Sequence, residues 1–326
     1  MDSAPAAEGD QSNNTALPPR SASRIDHTWQ RRLGKAALGG AGGLLSITVA
    51  GAWYVADTLT RASPVTAFDA YTFTPYELGL PWEDVTIPVG RGSPLAGWWL
   101  PRPESDRVVV VCYGYRNRKA EMLGIGAALW RHGINVLLFD YHGHGAHVGT
   151  RVTLGYRELD DVLAAVDYVS GRLPTVRLGL LGFSMGAAIA IMAAARDGRV
   201  RAVMADSPFS AQRNPVRKRL RQSLRVPQAG SPLLFLADQF LYRLLGYHFR
   251  DVEPVREVGA LGRRPLFLVH GTGDTTIDYH DSELLYDAAP GPKELWLLPG
   301  VEHCGAYFNG RVEYVARTLA FFDRSL

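Results

Sequence analysis

Three side chains that together could carry out nucleophilic catalysis stand far apart along this chain: Ser184, Asp274 and His303. A serine hydroxyl becomes an effective nucleophile when a histidine takes its proton and a carboxylate orients that histidine. The types and the order, serine then acid then histidine, therefore predict acyl transfer. In this interpretation Ser184 is the nucleophile, Asp274 the orienting acid and His303 the base.

The surroundings of Ser184 favour this role. The serine stands between a predicted strand, Val176–Ser184, and an alanine-rich predicted helix, Met185–Gly198. It lies in the pattern G-x-S-x-G, which exposes a serine on a tight strand-to-helix turn where Gly182 and Gly186 avoid collisions with neighbouring backbone. The alternative is that Ser184 only caps the helix.

The other two side chains follow predicted strands as well. Asp274 comes after Pro265–Gly271, and His303 comes after Lys293–Gly300. Because the carboxyl ends of parallel strands share one edge of a sheet, we expect both side chains beside Ser184.

Two other carboxylates remain candidates for the acid, whereas no other histidine is a candidate for the base. Asp278 or Asp206 could orient the histidine instead of Asp274. For the base, His303 has no competitor after the last strand, because His270 and His280 both precede that strand.

The remainder of the chain predicts an α/β fold. From about residue 69 onward, short apolar runs alternate with helical patterns, as expected for a mostly parallel sheet with helices on both faces. Eight runs are predicted strands: Glu83–Val89, Leu95–Leu100, Arg107–Gly114, Ile134–Tyr141, Val176–Ser184, Val200–Phe209, Pro265–Gly271 and Lys293–Gly300. The first two are joined too tightly for a crossover helix and predict an antiparallel edge. The predicted helices are Lys119–Arg131, Tyr156–Arg172, Met185–Gly198 and Ala306–Arg324.

One long segment, residues 210–264, interrupts this alternation and is called the cap below. It begins with an arginine-rich stretch, Arg213–Arg225, and continues with an apolar stretch at helical spacing, Leu233–Leu245. We expect two or three helices there, over one edge of the sheet. The basic stretch is interpreted as a solvated helix face or as a contact with anionic lipid headgroups. The apolar stretch is either packed core or a roof over an acyl pocket.

The first 58 residues predict a tail and a membrane anchor. Residues 1–35 are poor in large apolar side chains, which predicts disorder. Residues 36–56 carry no charge, follow the basic Arg31–Lys35 and end near Trp53 and Tyr54, so residues 36–58 predict a transmembrane helix. The preceding positive charges predict a cell-membrane protein with its folded domain, residues 59–326, on the extracytoplasmic side. A cleaved signal peptide and a helix of the folded domain are the alternatives.

The chain resembles the α/β-hydrolase superfamily, and it resembles bacterial acyl-ester hydrolases and prolyl-oligopeptidase-type members in particular. The motifs that carry the resemblance are GFSMG, FDYHGHGAHVGT, ADSPF, HGTGDTTIDYHDSELLYDAAP and GVEHCGAYFN. The resemblance implies an oxyanion hole made by the backbone N–H groups of Met185 and Tyr115. The chain departs from the family in having Tyr113 before Gly114 where histidine is usual, and His142 where arginine is usual.

Composition excludes several other functions. A net charge of only +3 in 326 residues argues against nucleic acid as a partner. The two cysteines, Cys112 and Cys304, are too few for a thiolate metal site or a disulfide framework, although one bridge between them remains open. The histidines at positions 142, 144 and 147 lack a recognisable zinc spacing. We therefore expect no metal and no organic cofactor, and the oligomeric state is left open.

Together these features predict a membrane-anchored serine hydrolase acting on esters or thioesters. Its expected substrate is a small acyl ester or a lipid-like molecule. A serine peptidase or amidase with the same three residues is the alternative within enzymes. A binding protein that kept the fold without catalysis is the alternative outside them.

Overall fold

Eight strands form a single sheet in the computed structural model, which describes residues 46, 48–62, 73–90, 92–145, 150–224 and 230–326. The strands are β1 (Glu83–Ile87), β2 (Leu95–Leu100), β3 (Arg107–Cys112), β4 (Asn135–Phe139), β5 (Arg177–Phe183), β6 (Val200–Asp206), β7 (Leu266–Gly271) and β8 (Lys293–Leu298). The helices are α1 (residues 48–60), α2 (Leu123–Arg131), α3 (Glu158–Arg172), α4 (Met185–Arg196), α5 (Arg213–Leu224), α6 (Gly230–Leu245), α7 (Pro254–Glu257), α8 (His280–Ala288), α9 (Ala306–Asn309) and α10 (Arg311–Ser325). The compact unit that holds all of them runs from Thr48 to Leu326.

The strand order is β1-β2-β4-β3-β5-β6-β7-β8. From β4 to β8 every neighbouring pair is parallel, whereas β2 is antiparallel to both β1 and β4. The prediction of eight strands with an antiparallel pair at one edge is confirmed. Edge strand β1 buries only alternate residues, whereas β4 is buried along its whole length, as expected for a strand covered on both faces.

Helices cover both faces of the sheet. A side chain at Gly179 of β5 would meet Phe322 of α10, whereas one at Gly182 would meet Ala187 of α4. Positions 179 and 182 differ in parity, so they point to opposite faces of the strand. The centre of the sheet is therefore enclosed by helices, as the sequence predicts.

Two predicted helices differ in detail. The predicted helix Lys119–Arg131 begins with a 3-10 turn, Lys119–Met122, before α2 starts at Leu123. The predicted last helix is divided into α9 and α10, because the backbone of Gly310 adopts φ −142° and ψ 56°, outside the helical region.

The cap contains α5, α6 and the short α7 among its described residues. Apolar side chains at Leu233, Ala237, Leu241 and Leu245 recur every fourth position on α6 and are buried. This spacing places them on one helix face, which packs into the domain. The other side of α6 leaves Phe235 exposed.

The part of the predicted anchor that the structure describes is helix α1. Its Ala52 and Ala56 side chains are buried, and buried Asp57 accepts hydrogen bonds from Arg61 and Arg151. Within the described part of the chain, none of the helices combines the length and the apolar character needed to cross a bilayer. The predicted tail and residues 36–45 and 47 of the predicted anchor lie outside the described residues.

Candidate active site

Ser184 lies on a strained turn between β5 and α4. Its backbone adopts φ 53° and ψ −118°, a region that side-chain-bearing residues rarely occupy. Its amide N–H donates to the carbonyl of Asp206 at 2.8 Å, which ties the turn to the end of β6. The structure thus holds the hydroxyl out of the strand at the start of a helix, where free N–H groups favour negative charge.

Backbone crowding explains both flanking glycines. A Cβ atom on Gly182 would lie 2.4 Å from the carbonyl oxygen of Gly186. A Cβ atom on Gly186 would lie 2.2 Å from the carbonyl oxygen of Cys112 at the end of β3. Because backbone atoms cannot rotate away as a side chain can, the tight turn excludes any larger residue at these positions.

The structure brings Ser184, His303 and Asp274 together. His303 Nε2 lies 2.8 Å from Ser184 Oγ, and His303 Nδ1 lies 2.5 Å from Asp274 Oδ2. A carboxylate only accepts hydrogen bonds, so Nδ1 carries the proton and Nε2 is free to accept one from the serine. This tautomer is the one that a general base needs.

Four hydrogen bonds hold the carboxylate of Asp274. Its Oδ1 accepts from the backbone N–H groups of Thr276 and Ile277 at 2.7 and 2.8 Å, and its Oδ2 lies near His303 and His270. Burial alone would raise the pKa of this carboxyl, but hydrogen bonds from His270 and His303 outweigh burial and lower the pKa below its usual range. The carboxylate therefore stays charged across the neutral range.

The two rival acids lie elsewhere. Asp278 contacts exposed His280 at 2.6 Å. Asp206 is fully buried and accepts from the Ser207 hydroxyl at 2.9 Å, and its Oδ2 has no hydrogen-bond partner among the described residues. Burial raises the pKa of Asp206, which favours its neutral form. Among the three candidates, Asp274 is the carboxylate that contacts His303.

The predicted oxyanion hole adjoins the nucleophile. A Cβ atom on Gly114 would lie 3.1 Å from Ser184 Cβ, so the loop after β3 passes directly beside the serine. Among the described residues, no backbone carbonyl accepts from the N–H of Tyr115 or of Met185. Both groups thus remain predicted donors to a substrate oxygen.

Tyr113, which stands where the resembled family has histidine, has a supporting role. Its buried hydroxyl accepts the N–H of Tyr141 at 2.8 Å. The Tyr115 hydroxyl donates to the Leu59 carbonyl at 2.9 Å, which connects the loop after β3 to α1.

The described histidines in the loop after β4 make hydrogen-bond contacts that support the fold. His142 Nδ1 lies 2.7 Å from Asp161, and its Nε2 lies 2.8 Å from the Ser93 carbonyl. Buried His144 approaches the carbonyl of His142 at 3.2 Å. The described residues contain no cluster of three potential metal ligands, and His147 lies outside them.

Cys112 and Cys304 are both free thiols, so the disulfide that the sequence left open does not form between them.

Two residues at the site were not singled out by the sequence. His270 contacts Asp274 from the end of β7, and Lys218 of α5 donates to the Asp274 carbonyl at 2.9 Å. The only sequence signal for His270 is its position four residues before the predicted acid. Lys218 has none, because a basic residue on a basic helix is usually solvated.

Comparisons with known proteins show which family and which solved structures the chain is similar to. The sequence model of the family described as serine aminopeptidase, S33, matches residues 103–245. The uncharacterized protein YqkD of Bacillus subtilis is 29% identical over 243 residues, which cover 73% of this chain and 78% of that protein. The uncharacterized protein YfhR of Escherichia coli K12 is 30% identical over 238 residues, covering 70% of this chain and 76% of that protein. Among solved structures, the esterase Pf2001 of Pyrococcus furiosus superimposes with a TM-score of 0.67 at 25% identity, covering 82% of this chain and 98% of the esterase.

Proposed function

The chain belongs to the α/β-hydrolase superfamily, and from that premise we propose that it is a serine hydrolase that cleaves carboxylic esters or thioesters. The observation that carries the proposal is the 2.8 Å contact between Ser184 Oγ and His303 Nε2, with Asp274 on the opposite ring nitrogen. Similarity to an esterase along nearly its whole length supports the ester as the bond that is cleaved.

In the proposed reaction, His303 takes the proton of Ser184 while the serine oxygen attacks the acyl carbonyl. The N–H groups of Met185 and Tyr115 donate to the resulting oxyanion, and one such donor lowers a barrier by about 3 to 4 kcal/mol. His303 then gives its proton to the leaving alcohol or thiol as the tetrahedral intermediate collapses to an acyl-enzyme. Water, deprotonated by the same histidine, releases the acid and restores the serine.

A fluorophosphonate probe tests the nucleophile directly, since it labels serines that are activated by a base. We expect the wild type to be labelled and Ser184→Ala to be unlabelled. Ser170→Ala is the matched control, because the Ser170 hydroxyl has no hydrogen-bond partner among the described residues and lies on α3. Equal labelling of Ser184→Ala and wild type, or no labelling of either, contradicts the proposal.

An aminopeptidase is the second candidate, and the family description matched by residues 103–245 favours it. Hydrolysis of p-nitrophenyl esters of increasing chain length, compared with aminoacyl p-nitroanilides, distinguishes the two activities. We expect a higher kcat/KM on the esters. A higher kcat/KM on the anilides, lost in Ser184→Ala, would assign the chain to the peptidases.

We also propose that residues 36–58 attach the protein to the cell membrane with the folded domain on the extracytoplasmic side. The uncharged run of residues 36–56 after a basic cluster supports this, as does the exposure of Trp53 and Tyr54 on α1. The full chain is expected in the carbonate-washed membrane fraction, and Leu45→Arg is expected to release it. Protease added to intact cells or spheroplasts should digest the domain. A full chain that remains in the soluble fraction would contradict the membrane attachment. A domain protected from the protease would contradict its extracytoplasmic position.

A further inference from the structure

A second imidazole reaches the carboxylate of the candidate triad. His270 Nε2 lies 3.1 Å from Asp274 Oδ2, the same oxygen that contacts His303 Nδ1 at 2.5 Å. The side chains of His270 and Asp274 are both fully buried, whereas 22% of the His303 side chain is exposed. One carboxylate oxygen thus serves two imidazoles, one facing the site and one facing the core.

The tautomer of His270 follows from its neighbours. A carboxylate can only accept, so Nε2 of His270 must carry a proton and donate to Asp274. On the other side, His270 Nδ1 lies 2.6 Å from the Ser282 hydroxyl on α8. In a neutral ring Nδ1 accepts, so the Ser282 hydroxyl donates to it and fixes the proton on Nε2.

We propose that His270 is a positioning residue of the hydrolase. Its N–H holds Oδ2 of Asp274 in place, so the negative charge of that oxygen is divided between the N–H groups of His270 and His303. The inference rests on the proposed serine hydrolase function. With the backbone N–H groups of Thr276 and Ile277 on Oδ1, the bond from His270 completes the set that prevents the carboxyl group from rotating away from His303. Ser282 acts through His270 by keeping the donor on the correct nitrogen.

The other charged or titratable groups near this pair stay the same in every variant below. Asp206 faces both imidazoles from the end of β6, and Lys218 faces the Asp274 backbone from α5. Asp278, on the loop before α8, contacts His280 at 2.6 Å, and the Cys304 thiol follows His303. None of them donates to the oxygen that the two histidines share, so a change in the pH profile on replacing His270 reports on His270.

Removing the His270 donor has two expected effects. The carboxyl group gains rotational freedom, so kcat falls by about 10- to 100-fold. The carboxylate charge is then directed to His303 alone, which favours the protonated imidazole. Consequently the acid limb of the kcat/KM pH profile moves to higher pH.

The test compares three variants of the full-length protein on a p-nitrophenyl ester. His270→Phe removes the donor and is expected to show both effects. His270→Gln places an amide N–H close to the position of Nε2 and is expected to recover most of kcat and the wild-type acid limb. Ser282→Ala leaves His270 but releases its tautomer, and it is expected to give an intermediate loss.

A purely structural role predicts a different pattern. His270 would then affect the urea unfolding midpoint while leaving the acid limb and the kcat of the folded variant unchanged, and that result overturns the inference. If His270→Phe does not fold, the pH profiles of His270→Gln and Ser282→Ala test the inference instead. A wild-type kcat and a wild-type acid limb in Ser282→Ala would then contradict it. Loss of the proposed function is recognised separately, because wild type would then neither react with a fluorophosphonate nor hydrolyse the ester.

Discussion

Replacing Gly186 by alanine should damage both the stability and the activity of the protein. The new Cβ atom would lie 2.2 Å from the Cys112 carbonyl oxygen and 2.4 Å from that of Tyr113, whereas ordinary contact begins at about 3.4 Å. The overlap is thus about 1 Å against two backbone groups. Since neither can rotate away, the start of α4 must move from β3 by a similar distance.

The cost of this movement has two parts. Overfilling a packed core costs about 1 to 3 kcal/mol, and an overlap with backbone on two sides lies at the upper end, near 3 kcal/mol. That is a large share of the 5 to 15 kcal/mol typical of a folded domain. Ser184 moves with α4, and a displacement of about 1 Å at a reacting group costs about 100-fold in rate.

Gly171→Ala is the matched control. Gly171 lies in α3, and no atom comes within 4 Å of the position that its Cβ would take. Alanine favours a helix over glycine by about 0.5 to 1 kcal/mol, so this variant should be as stable as the wild type or slightly more stable. Its activity should be unchanged.

Urea unfolding followed by circular dichroism, and initial rates on a p-nitrophenyl ester under folding conditions, measure the two effects. The expected result is a lower midpoint and a lower kcat for Gly186→Ala, with neither in Gly171→Ala. If both variants unfold at the wild-type midpoint and hydrolyse the ester at the wild-type rate, then the turn is not as tight as the structure has it.

Two further predictions concern buried polar groups. Burial raises the pKa of Asp206 in the folded protein above its pKa in the unfolded chain. The contribution of this carboxyl group to stability is therefore complete below the unfolded pKa and is lost as the pH rises through the folded pKa. Asp206→Asn carries no such loss, so its stability relative to wild type should improve as the pH rises above about 4, the ordinary pKa of an aspartate, by at most about 1.4 kcal/mol per pH unit in urea unfolding. A difference independent of pH would contradict this. Tyr113→Phe leaves the buried N–H of Tyr141 without its acceptor and should destabilise the fold by about 1 to 3 kcal/mol in the same assay, whereas exposed Tyr76→Phe should change stability by less than about 0.5 kcal/mol. Equal effects of the two tyrosine variants would mean that the Tyr113 hydroxyl bond is not stabilising.

The alternation of strands and helices could be predicted because each element carries its own pattern. The apolar run of β3 and the Gly-flanked Ser184 are local signals, and the parallel order of strands then brings their carboxyl ends to one edge. The same reasoning favoured Asp274 by its loop position but left Asp278 and Asp206 open, since all three stand at or after the ends of strands near that edge. The choice depends on where a carboxyl oxygen ends up relative to His303.

The N-terminal region shows a similar limit. The uncharged run of residues 36–56 predicts a transmembrane helix from hydropathy and flanking charge alone. In the structure, Ala52 and Ala56 of α1 pack against the domain, and Asp57 pairs with Arg151, which is 94 positions away along the chain. Such contacts leave no trace in hydropathy.

By itself, then, the sequence determined the fold class, the strained turn at Ser184 and the order of three reactive side chains, because these follow from local patterns and from the geometry of parallel strands. Only the tertiary structure decided that His303 and Ser184, 119 positions apart, meet at 2.8 Å, and that His270 shares the Asp274 oxygen. Hydrogen bonds act within about 3 Å. Bringing two residues 119 positions apart to that distance closes a long loop of chain, and this depends on the packing of the whole domain and not on any one segment.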